Sequence, residues 1–528
     1  MSADNPSRKP QDAAGEEQEL IVFLSDPRSY AEGPGSVEIV ETHAARVFLV
    51  GRKAIKTKKR VRLPFLDFST LALRHQALKR ELDLNSDHAP GIYGTLVSIG
   101  RDETGALAFN TTDNIVDYAL IMTRFDQKDL LARQAEHGPL PLALVRALAD
   151  MVARYHRTLP PIPDASGARL ICETVDGLAS GMTEIAPPAL ASEVAVFTCR
   201  CREDAARLWP LLEARSAAGK VRRCHGDLHL GNIVLIGGHP TAFDALEFDE
   251  TLATTDVLYD LAFLLMDLDV RGHREAANAV LNAYVADEPT GGEIEGLAAM
   301  PLFLAIRAGI RGMVALQRAR QSSYYHPETA DALVYIRAAI DYLHPHTPAL
   351  IAVGGLSGTG KSTLAARLAP RIGHAPGALV LRTDIERKRL FEVPETQRLT
   401  PDHYSEESSD AVYASLYAKT ARALAAGYTV IFDAVSAKPA ERERLAEIAR
   451  EAGADFHGLW LEAALETQIA RVEAREDDPS DSDATVVRNQ WERDIGPITW
   501  TRIDAGQSPE HTVTQARAAL AVSFRNAT

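Results

Sequence analysis

The spacing of apolar residues in the first half of the chain predicts short strands followed by long helices. Apolar runs at residues 37–40, 47–50, 54–55 and 118–122 have the length and composition of strands. Residues 142–159 carry apolar side chains at helical spacing. Strands that precede helices in this way are typical of an α+β domain.

A different pattern follows Pro345 and Pro348. Short apolar segments there alternate with helical ones, and the segments with strand character are 350–353, 378–381, 429–432 and 456–461. This alternation predicts a parallel sheet covered by helices, which is an α/β architecture.

These patterns divide the chain into four segments. Polar residues 1–19 are expected to form a disordered leader, and residues 344–348 a proline-containing linker. Residues 20–343 form the predicted α+β domain, and residues 349–528 form the α/β domain. A length of 528 residues, 46% of them apolar and 24% charged, suits a folded protein of two to four domains at about 150 residues each.

The composition also limits the partners and the compartment. A net charge of −15 argues against a general nucleic-acid or anionic-membrane surface, but it allows local cationic pockets. The four cysteines are too few for a disulfide framework in so long a chain. The start of the chain lacks a signal-peptide segment, and charges interrupt the longest apolar runs. We therefore expect a cytoplasmic protein without a membrane partner. The sequence does not indicate an oligomeric state.

Residues 355–363 fit the phosphate-binding pattern G-x-x-x-x-G-K-[ST]. In such a loop backbone N–H groups turn toward phosphate oxygens, while Lys361 reaches the β- and γ-phosphates and the Ser362 hydroxyl binds Mg²⁺. An apolar strand precedes the loop and a helical segment follows it, which is the required context. The residues expected to bind ATP here are Gly355, Ser357, Gly358, Thr359, Gly360, Lys361, Ser362 and Thr363.

Carboxylates follow two of the predicted strands in this half. Asp433 ends an apolar strand, where a P-loop protein places the Asp that supports the metal. Asp384 and Arg387 follow another strand, at the edge of the sheet where ligands bind. Asp384 is the candidate base for an acceptor hydroxyl, and Arg387 the candidate contact for an acceptor anion. The structural alternative is a helix-capping Asp with a surface Arg.

Two arginines and an acidic segment follow further along the chain. Arg471 and Arg475 share one helix face at i, i+4 spacing, and residues 476–483 form a polar stretch suited to a mobile lid. Such arginines stabilise charge on a transferred phosphoryl group. A solvated helix face is the alternative.

A second phosphoryl-transfer motif lies in the first half, at residues 225–232. Asp227 and Asn232 are five residues apart, as are the Asp and Asn of the H-R-D-x-x-x-x-N catalytic loop. A hairpin over residues 233–243 is expected to bring Asp244 back beside Asn232. Asp227 is then the candidate catalytic base, and Asn232 and Asp244 are the candidate Mg²⁺ ligands.

This loop, H-G-D-x-H-x-x-N, resembles that of the aminoglycoside phosphotransferase branch of the protein-kinase-like fold, and the resemblance covers residues 20–340. It implies a bilobal α+β domain that binds ATP. It also implies that Lys56 holds the α- and β-phosphates, and that Glu81 pairs with Lys56. Glu81 belongs to a predicted helix that Ser69 is expected to cap.

Two features of this half leave alternatives open. Lys53, Lys58 and Lys59 compete with Lys56 for the same role. The turn at 41–45 contains no glycine, unlike the G-x-G-x-x-G loop of protein kinases. Either nucleotide binding is weak here, or Thr42 and His43 contribute to covering the phosphates.

The second half, from about residue 349 to 520, resembles the small P-loop kinases, a group that includes gluconate kinase, polynucleotide kinase and the zeta-type toxins. The pair Asp384 and Arg387 is similar to the acceptor motif of polynucleotide kinases. Nearly the whole chain resembles a bacterial family in which an aminoglycoside-phosphotransferase-like domain is fused to a P-loop kinase. The expected fold is therefore a bilobal protein-kinase-like domain followed by an α/β P-loop NTPase domain with a parallel sheet.

The leading functional hypothesis is a bifunctional phosphotransferase with two ATP·Mg²⁺ sites. Its expected acceptor is a small hydroxylated, sugar-like metabolite, and a bolder hypothesis is that the two sites act in sequence. One alternative is a single kinase site in the first domain, regulated by a nucleotide switch in the second. Another is a protein or polynucleotide kinase, against which the net charge and the missing A-P-E element argue.

Overall fold

The fold is taken from a computed structural model that describes residues 10–30, 35–42, 44–63, 66–288, 292–321, 327–395, 397–475 and 480–526. Its contacts form two compact units. Unit 1 comprises Met1–Gly138, Tyr155–Ile162 and Arg222–Thr255, and unit 2 comprises Pro139–Arg154, Pro163–Val221 and Asp256–Thr528. The linker predicted at 344–348 therefore lies inside unit 2, and the first half of the chain contributes to both units.

The strands of the described residues are β1 Glu38–Glu41, β2 Ala45–Val50, β3 Lys53–Lys58, β4 Arg62–Leu63, β5 Leu66–Asp67, β6 Tyr93–Arg101, β7 Leu107–Phe109, β8 Ile115–Thr123, β9 Val221–Arg223, β10 Ile233–Ile236, β11 His239–Ala242, β12 Thr254–Asp256, β13 Ala349–Gly354, β14 Leu379–Arg382, β15 Val430–Asp433, β16 Asp455–Glu462 and β17 Thr501–Asp504.

The α-helices of the described residues are α1 Pro10–Ser25, α2 Leu71–Asn85, α3 Leu131–Glu136, α4 Leu142–Thr158, α5 Gly167–Ile185, α6 Ala191–Ala217, α7 Glu250–Ala253, α8 Val257–Val270, α9 Arg274–Ala286, α10 Met300–Gln321, α11 Pro327–Tyr342, α12 Lys361–Leu368, α13 Thr383–Leu390, α14 Glu406–Ala425, α15 Pro439–Glu451, α16 Leu465–Glu473, α17 Ala484–Trp491 and α18 Pro509–Asn526.

Unit 1 is built on an antiparallel sheet with the strand order β1-β2-β3-β8-β6-β7. The predicted strands at 37–40, 47–50, 54–55 and 118–122 correspond to β1, β2, β3 and β8. The sequence pattern missed β6, which carries glycines and polar residues. Gly94 lies there because a Cβ atom at this position would come within 2.7 Å of the Ile121 carbonyl oxygen on β8.

Two local expectations in unit 1 are wrong. Residues 10–19 belong to helix α1, and residues 1–9 lie outside the described residues. The helix is polar along most of its length, but its apolar end packs Leu20 and Leu24 against Phe48 and Ile55 of the sheet. This tertiary burial stabilises a helix that composition alone does not predict. Helix α2 is capped by the Thr70 hydroxyl, which accepts from Leu73 N, and not by Ser69.

Unit 2 contains an all-parallel sheet with the strand order β14-β15-β13-β16-β17. Four of these strands match the predicted segments, which confirms the α/β fold class. The fifth, β17, escaped prediction because its sequence, Thr-Arg-Ile-Asp, has a single buried apolar residue at the edge of the sheet. The strands β13 and β15 at the centre are entirely buried.

Helix α9, which belongs to the predicted first domain, forms hydrogen bonds with the edge strand β14 and the residue before it. Asn278 and Asn282, on α9, donate to the Ala378 carbonyl oxygen at 3.0 and 3.2 Å. The backbone N–H of Val380 donates to Asn282 Oδ1 at 2.6 Å. The exposed edge of β14 is thus covered, which satisfies backbone groups that an edge strand otherwise leaves to solvent.

One segment, Glu295–Arg320, has the length and apolar composition of a membrane span, with a mean hydropathy of 1.5. Of that window, 67% is buried inside the fold. A core helix of unit 2 is equally apolar and buried, so the segment is only weak evidence for a membrane span.

A buried ion-pair network in unit 2 leads to a stability prediction. Arg215 on α6 binds Asp256 at 2.6 Å and Glu293 at 2.8 Å, and all three side chains are buried. We expect Arg215→Met to lower the free energy of unfolding by about 3–5 kcal/mol, because it leaves two buried carboxylates without this partner. The control is Arg202→Met on the same helix, which breaks an exposed pair and changes it by less than about 1 kcal/mol. Denaturant unfolding of both variants measures the difference, and equal losses would contradict the prediction.

Candidate active sites

The first candidate site, in unit 1, is organised by a buried lysine on the sheet. Lys56 on β3 places its Nζ 2.7 Å from Glu81 Oε1 and 2.6 Å from Asp244 Oδ1. Its side chain is 11% exposed, and that of Glu81 is fully buried. Burial works to lower the pKa of Lys56, but the carboxylates of Asp244 and Glu81 outweigh it and raise this pKa. The structure thus brings together the three residues for which the sequence predicted ATP and metal contacts.

Lys58, two residues along β3, contacts the other oxygen of the same carboxylate. Its Nζ lies 2.8 Å from Glu81 Oε2 and 2.5 Å from Glu247 Oε1. Lys53 is exposed, and Lys59 pairs with the half-exposed Glu41. Side chains alternate along a strand, so residues i and i+2 lie on the same face. This spacing was the signal in the sequence that Lys58 lies on the same face as Lys56.

The predicted catalytic loop also comes together in unit 1. Asn232 Nδ2 donates to Asp227 Oδ2 at 2.9 Å and to the Asp227 carbonyl oxygen at 3.0 Å. His229 Nε2 lies 3.5 Å from Asp227 Oδ2. The hairpin of β10 and β11 returns the chain as predicted, because Phe243 N donates to the Asn232 carbonyl oxygen at 3.0 Å.

Asp244 follows this hairpin in an unusual backbone conformation, with φ at +62°. Its N–H donates to the hydroxyl of Tyr93 at 2.9 Å, which helps to hold the strained residue in place. Burial works to raise the pKa of the Asp244 carboxyl, but Lys56 and Lys58 outweigh it and lower this pKa. The group is therefore an anion at neutral pH, as a metal ligand must be.

The glycine-free turn between β1 and β2 is closed by a threonine. Ala45 N donates to Thr42 Oγ1 at 3.0 Å, and Thr42 N donates to the Ala45 carbonyl oxygen at 2.9 Å. His43 lies outside the described residues. These hydrogen bonds occupy Thr42, so its hydroxyl already has a structural role in the turn.

The second candidate site, in unit 2, is a cavity of about 1010 Å³ above the carboxyl ends of β13, β14 and β15. The P-loop lies between β13 and α12. Gly358 has φ at +82°, and a Cβ atom there would lie 2.5 Å from the Gln468 carbonyl oxygen, so only glycine fits. The predicted residues that line the cavity are Ser357, Gly358, Gly360, Lys361, Ser362, Thr363, Asp384, Arg387, Asp433, Arg471 and Arg475.

Two predicted residues of the loop lie just behind that lining. Gly355 accommodates the close approach of the Leu461 carbonyl oxygen, 2.7 Å from where a Cβ atom would be. Thr359 donates from its hydroxyl to the Leu356 carbonyl oxygen at 2.8 Å. Both residues fix the shape of the loop through these contacts, and neither is among the residues that line the cavity.

The charged side chains beside the loop include cations that could bind an anion and carboxylates that could bind a cation. Lys361 Nζ donates to the Leu356 carbonyl oxygen at 3.1 Å, and burial lowers its pKa although Asp433 and Asp384 oppose the shift. Arg382 Nε lies 3.2 Å from Asp433 Oδ2, yet neither atom makes a hydrogen bond within the described residues. Arg382 was not among the predicted site residues, because only the fold brings it beside Asp433.

Arg387, the predicted acceptor contact, is largely held by protein groups. It is 7% exposed, and its terminal nitrogens donate to the His403 carbonyl oxygen at 2.7 Å and to Ser409 Oγ at 3.3 Å. Its guanidinium lies 4.7 Å from the ring centre of Tyr404. Asp384, three residues earlier on α13, is only partly buried and lines the cavity. Of the two, Asp384 is better placed to meet an acceptor.

The two predicted arginines both line the cavity, but they do not share a helix face as predicted, because α16 carries Arg471 and ends at Glu473, before Arg475. Arg471 Nη1 donates to the Thr359 carbonyl oxygen at 3.4 Å. Arg475 Nη1 is buried and has no hydrogen-bond partner among the described residues. Residues 476–479 of the predicted lid lie outside the described residues.

The described end of that lid segment contacts the P-loop directly. Ser357 N donates to Gln490 Oε1 at 2.8 Å, and the hydroxyls of Ser357 and Ser482 are 3.0 Å apart. Asp481 accepts from the Tyr404 hydroxyl at 2.7 Å. Sequence reasoning missed Gln490 and Tyr404, since each is far from its partner in the chain.

Two family models match separate segments of the chain. Residues 62–296 match the phosphotransferase enzyme family, and residues 350–495 match the family described as an AAA domain. The chain joins a phosphotransferase domain to an AAA-type P-loop domain. It is an ATP-dependent phosphotransferase of two kinase-type domains, which confirms the predicted family and fold class. An uncharacterized protein of Mycobacterium tuberculosis strain H37Rv is 29% identical over 496 residues, which is 91% of this chain and 94% of that protein.

Two solved structures are similar to parts of this chain. A choline/ethanolamine kinase family protein from Mesorhizobium loti is 14% identical, with a TM-score of 0.39, and covers 62% of this chain and 95% of its own. A gluconokinase from Sinorhizobium meliloti is 20% identical, with a TM-score of 0.25, and covers 34% of this chain and 99% of its own.

The residues of both domains fit the groups that a phosphotransferase needs. In the P-loop domain, Arg475 Nη1 and Arg382 Nη2 are buried donors without a hydrogen-bond partner among the described residues, and an anion could accept from them. Asp433 Oδ2, which lies 3.2 Å from Arg382 Nε, could also meet a cation. In the phosphotransferase domain, Asn232 and Asp244 would supply oxygen ligands of the kind that Mg²⁺ prefers.

A buried carboxylate on α13 gives this phosphotransferase a testable dependence on pH. Burial works to raise the pKa of Glu386, but hydrogen bonds from Arg389, Lys419 and Ser415 outweigh it and lower the pKa to about 2. This stabilisation is present above the ordinary pKa of 4.5 and is lost as the pH falls toward 2. We expect Glu386→Gln to be about 3 kcal/mol less stable at pH 7, with the difference shrinking between pH 4.5 and 2. Unfolding measured across that range checks this, and a difference independent of pH would contradict it.

Proposed function

We propose that the protein transfers phosphoryl groups from ATP to hydroxyl groups of small molecules at two separate sites, in the cytoplasm. The observation that carries the proposal is that each site collects, within one compact unit, a lysine, a metal-binding carboxylate and a further carboxylate suited to act as a base. Phosphoryl transfer needs these groups, because its catalysis consists of positioning and charge stabilisation.

At the first site, Asp227 orients the acceptor hydroxyl and accepts its proton. The amide of Asn232 keeps the Asp227 carboxylate in one orientation, through the 2.9 Å hydrogen bond to Oδ2. Lys56 holds the ATP phosphates, and Glu81 fixes the position of Lys56. Asn232 and Asp244 would hold Mg²⁺, which would supply neutralisation of the charge on the phosphates.

At the second site, the backbone of residues 355–363 and Lys361 bind the ATP phosphates. Asp384 accepts the proton of the acceptor hydroxyl at the open end of the cavity. Arg471 and Arg475 stabilise the charge on the transferred group, and the unpaired Nη1 of Arg475 supports this role. Ser362 and Asp433 would hold Mg²⁺, which supplies the same charge neutralisation as in the first site.

The proposed acceptors rest on the second cavity, most of whose lining residues have polar or charged side chains of both signs. A sugar-like molecule with several hydroxyl groups fits such a lining, because it presents many donors and acceptors. Arg387 then acts mainly by holding the wall of the cavity, through His403 and Ser409. Sequential action, in which one site phosphorylates the product of the other, remains part of the proposal.

The test is a screen with γ-labelled ATP against a metabolite pool and a protein pool. We expect labelled small molecules with the natural protein, and the loss of different products in Asp227→Ala and Asp384→Ala. If both variants lose the same final product, and one of them accumulates a phosphorylated intermediate that the other converts to that product, the sites act in sequence. Label confined to the protein pool would contradict small-molecule acceptors.

A regulatory nucleotide switch in the second domain is the second candidate. The supporting observation is the docking of α9 on β14, through Asn278 and Asn282. Strand β14 leads directly into α13, which carries Asp384, so a nucleotide-dependent movement there would reach α9. Under this function, Lys361→Met abolishes the product of the first site, and no acceptor for the second site is found.

A further inference from the structure

We propose that Lys58 and Glu247 are positioning residues of the first site. They hold Glu81 and the segment that carries Asp244 in place while Lys56 engages ATP. This inference rests on the proposed function of that site, in which Lys56, Glu81 and Asp244 serve ATP and Mg²⁺.

The residues form an unbroken chain of five alternating charges inside unit 1. In order along the chain of contacts they are Asp244, Lys56, Glu81, Lys58 and Glu247, with successive atoms 2.6, 2.7, 2.8 and 2.5 Å apart. Glu81 stands at the centre and is fully buried. Each of its two oxygens binds a different lysine.

Glu81 needs Lys58 as a second partner, because Lys56 also binds Asp244. Lys56 donates both to Glu81 and to Asp244 in this structure. With ATP and Mg²⁺ bound as proposed, Asp244 would hold the metal and Lys56 would also donate to phosphate oxygens, so Glu81 would share Lys56 with the nucleotide. A buried carboxylate whose partner is drawn away is strongly destabilised. Lys58 keeps Glu81 paired throughout, so Glu81 stays in position to hold Lys56.

Glu247 extends this support to the metal-binding segment. It lies three residues after Asp244, and its side chain is 8% exposed where it meets Lys58. The backbone between them is fixed as well, since Ala245 N donates to Asn85 Oδ1 at 3.0 Å and Leu246 N to the His225 carbonyl oxygen at 2.9 Å. The ion pair with Lys58 therefore ties the segment after Asp244 to strand β3.

The same geometry separates the roles of the two lysines. Lys58 is 3% exposed at its side chain, and its Nζ lies 5.4 Å from the ring centre of Phe68. Lys56 is more exposed and reaches Asp244, whose side chain is 40% exposed. Only Lys56 therefore has access to a nucleotide bound at Asp244, and Lys58 is a supporting residue.

The experiment measures binding of a non-hydrolysable ATP analogue with Mg²⁺ to the full chain, in a Lys361→Met background that silences the second site. We expect Lys58→Met to raise the Kd of the first site about tenfold. Glu247→Gln, which keeps the shape and removes the charge, raises it about threefold. Because the two residues act through one pair, the double variant binds about as weakly as Lys58→Met alone, and not with the product of the two single effects. Lys58→Arg restores most of the affinity.

The controls remove exposed charges that lie close in sequence to members of the network. Lys79→Met lies on α2 near Glu81 and pairs with Asp83, and Glu250→Gln follows Glu247 and pairs with Arg80. Neither control changes the Kd. If Lys58→Met does not fold, Glu247→Gln decides the question on the same criterion.

Two failures remain distinguishable. If Lys56→Met leaves the Kd unchanged, the proposed function of the first site is overturned, and this inference with it. If Lys56→Met weakens binding but Lys58→Met and Glu247→Gln both bind like the natural protein, only the positioning role is overturned.

Discussion

Replacement of Asp227 by asparagine is expected to lower phosphoryl transfer at the first site by about 10²- to 10⁴-fold, the usual contribution of a positioned general base. Asparagine keeps the shape of the side chain, so the loop around Asn232 is preserved, but it cannot accept the proton of the acceptor hydroxyl. ATP binding is expected to change little, because Lys56 and Asp244 remain. The measurement is the rate of formation of the first-site product together with the Kd of an ATP analogue.

The control for this prediction is Asp83→Asn, which removes an exposed carboxylate of the same unit that pairs with Lys79. It should leave both the rate and the Kd unchanged. If the first-site rate of Asp227→Asn stays within a few-fold of the rate of the natural protein, Asp227 is not the base of the reaction.

Lys361→Met is expected to lower transfer at the second site by about 10²- to 10³-fold, because a preorganised charge on the transferred phosphoryl group is lost. The ammonium is buried beside Asp433 and Asp384, where the surrounding protein screens it less than water would. Nucleotide binding at this site weakens as well. Product formation at the second site, followed with labelled ATP, checks the prediction.

The first-site product provides the internal control for Lys361→Met. Two independent kinases require that its rate remain unchanged, whereas the regulatory alternative requires that it fall. Arg444→Met, an exposed substitution on α15 of the same unit, should affect neither product. Undiminished second-site transfer in Lys361→Met would show that the P-loop does not serve catalysis.

The sequence could predict the parts of each site that lie close together in the chain. The P-loop and the loop with Asp227 and Asn232 are contiguous motifs, whose spacing is dictated by the phosphate and metal they serve. The return of Asp244 to Asn232 was also predictable, because a short hairpin joins them. In the structure Asn232 donates to Asp227, and the hairpin returns the chain so that Phe243 N donates to the Asn232 carbonyl oxygen.

The remaining contacts join residues that are far apart in the chain. Arg382 with Asp433, Ser357 with Gln490, and Lys58 with Glu247 meet only after the sheets have formed. Lys58 could be placed on the same face as Lys56, but the sequence had no means to identify Glu247 as its partner.

The errors in the fold have the same origin. Residues 10–19 of helix α1 were expected to be disordered because their sequence is polar, yet burial of Leu20 and Leu24, later in the same helix, against the sheet stabilises the helix. Strand β17 has too little apolar pattern to be recognised, and it forms because β16 offers a parallel partner. In both cases tertiary contacts outweigh local propensity.

The central claim is that one chain carries two separate ATP sites. Equilibrium dialysis with a non-hydrolysable ATP analogue and Mg²⁺ tests it most directly. We expect two molecules bound per chain, one in Lys56→Met, one in Lys361→Met and none in the double variant. A single molecule bound per natural chain, lost on Lys361→Met and unaffected by Lys56→Met, would contradict the account.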